Sequence, residues 1–197
     1  MALAHNLLGV VYVQKGQYDQ AVTEAQRAIA LDPNSPAGYS SLAQVLNNEV
    51  KPTEALEAVE TAMRLDPRNP DKYLTDQAFA YSLLGRWKEA IPVWKRILVR
   101  FPDNIWAHAF LADAYSCTDD ADGARAETAA IERAIALSPN SALGYMALAQ
   151  GLSFQGRPAE ALIAADKAVR LDPRHGDNLP PIYLMYEGSA YTLLGRW

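Results

Sequence analysis

Prolines recur along this chain at a nearly fixed interval: Pro33, Pro67, Pro102, Pro139 and Pro173 stand 34, 35, 37 and 34 residues apart. A period in that range restricts the fold to a stack of equivalent units. Each unit is too short to close a core of its own and must bury its apolar face on its neighbours. Upstream of each proline runs an alanine-rich segment, among them YDQAVTEAQRAIALDPN, PTEALEAVETAMRLDPR and PAEALIAADKAVRLDPR. Ala21, Ala25 and Ala28 fall at i, i+4 and i+7, the stripe of an amphipathic helix. The proline ends that helix, because it lacks an amide hydrogen and disfavours helical backbone at the preceding residue.

A second helix pattern begins a few residues later. Ser35 before Pro36, Asn69 before Pro70, Asn104 before Ile105 and Ser141 before Ala142 read as N-caps followed by first helical positions. The segments GYSSLAQVL, WAHAFLADAY and GYMALAQGL follow, with Ala43, Ala78, Ala112 and Ala149 expected where two helix backbones cross closely. Gly16, Gly85, Gly156 and Gly195 then suit the positive φ of a helix C-terminus. Each unit is therefore a helix–turn–helix hairpin.

These residues resemble a tetratricopeptide-repeat (TPR) array. The first unit carries Leu8-Gly9, Tyr12, Ala21, Ala25, Ala28 and Pro33, the second Tyr39, Leu42-Ala43, Ala55, Val59, Ala62 and Pro67. The third has Ala78, Tyr81, Trp87, Ala90, Trp94 and Pro102, and the fifth Tyr145, Leu148-Ala149, Ala161, Ala168 and Pro173. The resemblance implies an all-α helical-hairpin solenoid, a right-handed superhelix of about five and a half repeats. The expected organisation is one array over residues 1–197: repeats at 2–35, 36–70, 71–104, 105–141 and 142–175, a linker at 176–180 and a half repeat at 181–197. The fourth unit holds three extra residues around SCTDDADGARAET, which must lengthen its turn or an adjoining helix end. The phrase AYSLLGRW at 80–87 returns as AYTLLGRW at 190–197, so the sixth unit is read as cut after its first helix, and the chain as a fragment of a larger protein.

No arrangement of residues points to catalysis. His5 and His108 occupy the aromatic position of their repeats, where packing is the expected role, and His175 lies in the linker. None has a second metal-ligand residue at a suitable spacing, so neither metal nor cofactor is expected. GLSFQG lies on a helix and lacks the spacing of a nucleophile elbow. DDADG at 119–123 lacks the alternating ligands and closing glutamate of a calcium loop and reads as an exposed acidic turn. Cys117 has no neighbouring histidine and reads as a helix-end residue; a single cysteine fits a reducing compartment. A net charge of −5, without clustered Lys and Arg, argues against nucleic acid as a partner. The first residues have no basic n-region or cleavage site, and no apolar run approaches the roughly 18 residues of a membrane span. A cytoplasmic, non-enzymatic protein is expected.

The resemblance places ligands in a concave groove lined by the first helices of successive repeats. Carried over by position, the groove takes Asn6 from unit one, Ser40, Gln44 and Asn47 from unit two, and Lys72, Thr75 and Phe79 from unit three. Units four and five add Trp106, Asp113, Met146 and Gln150. TPR domains that clamp a peptide's terminal carboxylate use Lys and Asn; Asn6 and Val10 stand there in unit one without a compensating cation cluster, so that mode is rejected. An extended peptide held by amides, with Phe79, Trp106 or Met146 as apolar anchors, is the leading expectation. Two alternatives are a self-assembly module and a regulatory segment of a multidomain enzyme. In the first, open ends stack, one of them through Leu184, Tyr191, Leu194 and Trp197. The second comes from AMRLDPRNPDKYL and AYSLLGRWKEAI, which resemble TPR regions that follow bacterial class III nucleotide cyclase domains.

Overall fold

A computed structural model describes residues 1–172; Gly195, Leu184, Tyr191, Leu194 and Trp197 lie outside the described residues. Within them the chain is all-α, with ten α-helices and no strand. They fall into two compact units, residues 1–86 and 87–172. The first holds α1 (Ala2–Gln14), α2 (Tyr18–Leu31), α3 (Pro36–Asn48), α4 (Pro52–Leu65), a 3₁₀ turn (Pro70–Tyr73) and α5 (Leu74–Leu83). The second holds α6 (Trp87–Arg100), α7 (Ile105–Cys117), α8 (Ala121–Leu137), α9 (Ala142–Phe154) and α10 (Pro158–Leu171). Odd-numbered helices are the first helices of the repeats and even-numbered ones the second.

The stripes read from the sequence are the buried ones. Ala21, Ala25 and Ala28 of α2 are at most 1% exposed, and Ala55, Val59 and Ala62 of α4 are fully covered. Side chains this small let the helices of a hairpin pack closely, which gives unit 1 a core of Ala43, Leu46, Ala55, Val59, Tyr73 and Ala80. In unit 2, Trp94 and Phe110 stack in parallel with centroids 5.0 Å apart, and Ala109, Ile131, Ile135 and Ala147 form a neighbouring cluster. Ala43, Ala78 and Ala112 are wholly buried. Ala149 is only half-buried. Gly38 and Gly144 add a close approach that the sequence reading passed over. A Cβ there would lie 2.8 Å from Ile29 Cγ1 and 2.9 Å from Ile135 Cγ1, so each first helix starts against the preceding second helix.

The hairpin turns share one backbone shape. Gly16, Gly85 and Gly156 take φ of 68°, 66° and 69°, and Val50 and Asp119 fill the same place at 59°. In each turn the next amide reaches back to a carbonyl in the last helical turn: Gln17 to Tyr12 (2.9 Å), Lys51 to Leu46 (2.9 Å), Asp120 to Tyr115 (2.8 Å) and Arg157 to Leu152 (2.9 Å). The hydrogen bonding imposes the left-handed residue whether or not glycine is there. For β-branched Val50 that conformation is strained. Val50→Gly is therefore expected to stabilise unit 1 by about 1 kcal/mol. A urea midpoint that stays put or falls would show that the valine is held without strain.

One local expectation needs correction, and another is narrowed to one of its alternatives. Asn104 and Ser141 do cap, accepting from the amides of Ala107 (3.0 Å) and Gly144 (3.1 Å), but Ser35 and Asn69 make no side-chain cap bond. Asn69 gives its side-chain amide to Asp66 Oδ1 (2.9 Å) instead, and the 3₁₀ turn delays α5 to Leu74. The three extra residues of the fourth unit lie in α8, which has 17 residues where α2, α4, α6 and α10 have 14; its turn keeps its length and Asp120 caps it.

Candidate functional site

The surface offered by the first helices is built differently in the two units. In unit 1, Ser40 and Asn47 project from the same side of α3 and converge on Asp76 of α5. Ser40 Oγ donates to Asp76 Oδ2 (3.3 Å) and Asn47 Nδ2 to the Asp76 carbonyl (2.9 Å). Burial pushes the Asp76 carboxyl up to about 7 against the smaller opposing effect of the Ser40 bond, so near neutrality it exists in both protonation states. Asp76 was not among the sequence candidates, since a single acid in a helix pattern carries no signal. Gln44 and Thr75 are exposed, while Phe79 and Asn6 are half-buried.

Lys72 is in the 3₁₀ turn and serves the turn itself. Its Nζ lies 3.5 Å from Asp66 Oδ2, which also accepts from the Tyr73 hydroxyl (3.1 Å). The Asn69 amide, then Tyr73 and Lys72, hold the Asp66 carboxyl below its ordinary value.

In unit 2, Trp106 and Met146 are half-buried on α7 and α9. Asp113 and Gln150, at equivalent positions in successive repeats, are 0% and 2% exposed; Gln150 Nε2 donates to Asp113 Oδ2. Burial pushes the Asp113 carboxyl well above the carboxylate range. These two tie α7 to α9, and neither is exposed to a ligand.

One position shows how each first helix spends its polar groups. A turn after the small residue, Ser82, Ser116 and Ser153 each donate to their own helix, to the carbonyls of Ala78, Ala112 and Ala149 at 2.8 Å. Asn47 holds the same place in repeat two and reaches across to α5 instead. Its Oδ1 is buried with no donor among the described residues, and so are Asn6 Oδ1 and Asp113 Oδ1.

The histidines do more than pack. His5 Nδ1 lies 2.5 Å from Glu24 Oε2, and His108 Nδ1 lies 2.5 Å from Glu127 Oε2, so the same pair recurs across two repeats. Glu24, 4% exposed, also accepts from Arg27. The other nitrogen of His108, Nε2, is 2.8 Å from the Pro102 carbonyl. A carboxylate at one nitrogen and a carbonyl at the other are both acceptors, an arrangement that favours the ring with both nitrogens protonated. Its pKa is accordingly raised, first by the Glu127 bond and further by the Pro102 carbonyl, against burial and Arg133. The signal was present in the sequence: a glutamate stands 19 residues after each of these histidines.

Residues 9–48 match a family model described as TPR repeat. Residues 74–104, and residues 105–130 with 142–166, match two models described as tetratricopeptide repeat. Over 103 residues the chain is 30% identical to the type IV pilus assembly protein PilF of Pseudomonas aeruginosa, covering 52% of this chain and 39% of that one. Over 107 residues it is 28% identical to human Superkiller complex protein 3, covering 54% of this chain and 7% of that one. The chain thus spans well under two thirds of either relative. Among solved structures, TTC0263, a thermophilic TPR protein of Thermus thermophilus, superposes with a TM-score of 0.72 at 24% identity, over 96% of this chain and 98% of that one. MamA from Desulfovibrio magneticus RS-1 (residues 41 to the end) gives a TM-score of 0.61 at 16% identity, over 87% and 95%. These likenesses show the fold. Among the described residues no helix is long and apolar enough to cross a membrane.

Proposed function

We propose that this chain, which belongs to the tetratricopeptide-repeat family, is a non-catalytic scaffold that binds an extended segment of a partner protein along its first helices. The observation that carries this reading is that two first helices of unit 1, α3 and α5, present an exposed amide and an exposed hydroxyl, Gln44 and Thr75, to which the backbone of an extended peptide can hydrogen-bond. In unit 2 the half-buried Trp106 and Met146 offer apolar anchoring. With a partner in hand, Trp106→Ala should weaken binding by about 2 kcal/mol, roughly 30-fold, if the indole is an anchor. Affinity untouched by Trp106→Ala and by Phe79→Ala, in variants that keep their melting temperature, would move the binding surface elsewhere.

Self-association is a second reading, favoured by one face of α1. Leu3 and Leu7 are 70% and 61% exposed and Val11 is 41% exposed, whereas Val45, the counterpart of Val11 in repeat two, is 2% exposed. A second copy that covered the stripe would be lost on Leu3→Glu with Leu7→Glu. Sedimentation velocity at tens of micromolar distinguishes the two: an unchanged profile removes this reading.

A further inference from the structure

Tyr39, His5, His108 and Tyr145 occupy one position of the repeat, and each faces the second helix of its own hairpin. In three of the four that helix supplies a charge to the ring. Glu24 meets His5, Glu127 meets His108, and the Lys167 ammonium lies 4.4 Å from the centroid of the Tyr145 ring. Repeat two is the exception, because the residue equivalent to Lys167 is Thr61, too short to reach, and Thr61 Oγ1 donates instead to the Glu57 carbonyl (3.0 Å). The nearest lysine in sequence, Lys51, is held 2.8 Å from Glu49.

Tyr39 is left at the floor of an open groove of about 450 Å³ between α2 and α4. Val22, Leu42 and Leu46 share its lining with Lys51 and with the carboxylates of Glu54 and Glu57; the Lys51 ammonium is paired with Glu49 and acts on Glu54 only at longer range, and neither Glu54 nor Glu57 is in an ion pair among the described residues. The matching groove between α8 and α10 is about 230 Å³ and has Tyr145, Leu148 and Leu152 in the same places, with Lys167 over the ring and Ile163 where Glu57 stands. None of the lining residues belongs to the first-helix set Ser40, Gln44 and Asn47.

We infer that the Tyr39 groove is a second docking site, taking a lysine or arginine side chain, flanked by apolar residues, from a basic segment of a partner. The ring face attracts the cation, Glu54 and Glu57 add charge of the opposite sign, and the stem of the side chain covers Leu42 and Leu46. Lys167 on Tyr145 is the template for the arrangement within the same chain. A site of this size holds one side chain firmly and a short flanking segment loosely, so it supplements the first-helix surface and does not depend on it.

The test uses an acetylated, amidated peptide of leucine and lysine, and the same peptide with norleucine for lysine, titrated into the full ¹⁵N-labelled chain at low salt. The site requires amide shifts centred on Tyr39, Leu42 and Ala58, with the norleucine peptide at least about fivefold weaker, as one cation–π contact and two carboxylates demand. Thr61→Lys, which gives Tyr39 an internal cation as Lys167 does for Tyr145, should reduce lysine-peptide binding by a similar factor without lowering the melting temperature. Tyr39→Leu should do the same while keeping the apolar floor. No shift at millimolar peptide, equal shifts from the two peptides, or full binding by folded Thr61→Lys would each overturn the proposal. None of those results bears on the first-helix surface, whose variants are read separately.

Discussion

Trp94→Ala should cost unit 2 about 3–5 kcal/mol, the largest loss expected from any single truncation among the described residues. The indole is 0% exposed on α6, and its partner Phe110, 1% exposed on α7, lies 5.0 Å away with the rings only 4° from parallel. Deleting it removes the largest fully buried side chain among the described residues and strips one face of Phe110, and the surrounding helices can close such a cavity only in part. Because neighbouring units in a solenoid are stabilised through their interfaces, the loss should appear as an early transition in thermal or urea unfolding. Trp94→Phe, which keeps an aromatic ring, should lose clearly less. A midpoint for Trp94→Ala within error of the parent would mean that this stack does not hold α6 to α7.

The second large effect is expected at His108. His108→Phe keeps the aromatic volume of this repeat position but removes the bonds to Glu127 and to the Pro102 carbonyl, at a cost of about 2 kcal/mol near pH 6. The pH dependence separates this from a packing defect. The folded imidazole titrates above its ordinary value of 6.5, so its contribution is fully present below that value and is lost as pH rises through the higher folded one. The parent should therefore lose stability relative to His108→Phe as pH rises above 6.5, and the difference should level off once the folded imidazole has lost its proton. Parallel stability curves across that range would contradict an imidazolium in the folded state.

The fold was legible because its signals are periodic. Prolines at near-equal spacing and alanines at i, i+4 and i+7 are one-dimensional records of stacked hairpins, and Trp94, Ala43 and Ala112 are buried where that record puts them. What escaped is what depends on the residue across the interface. Glycine marks only three of the five left-handed turns, because at Val50 and Asp119 the helix-end hydrogen bonds impose the conformation on a residue that does not prefer it. Asp113 and Gln150 read as groove-lining polar groups, yet they are buried against each other; a helix wheel gives the face of a side chain and not what the next repeat lays over it. Asp76 was invisible for the same reason, since its partners Ser40 and Asn47 sit more than one helix away in sequence. The His–Glu pairs were readable in principle, because a histidine and a glutamate at a fixed separation recur in two repeats.

Site-resolved photocrosslinking tests the central claim, that the first helices carry the partner. A benzophenone amino acid placed one residue at a time at Gln44 of α3 and Thr75 of α5, and as controls at Lys88 of α6 and Arg125 of α8, all four of them exposed, samples the two kinds of helix under the same conditions. The account predicts that Gln44 and Thr75 crosslink one and the same partner segment and that Lys88 and Arg125 do not. A partner captured from Lys88 or Arg125, with Gln44 and Thr75 silent, would contradict it.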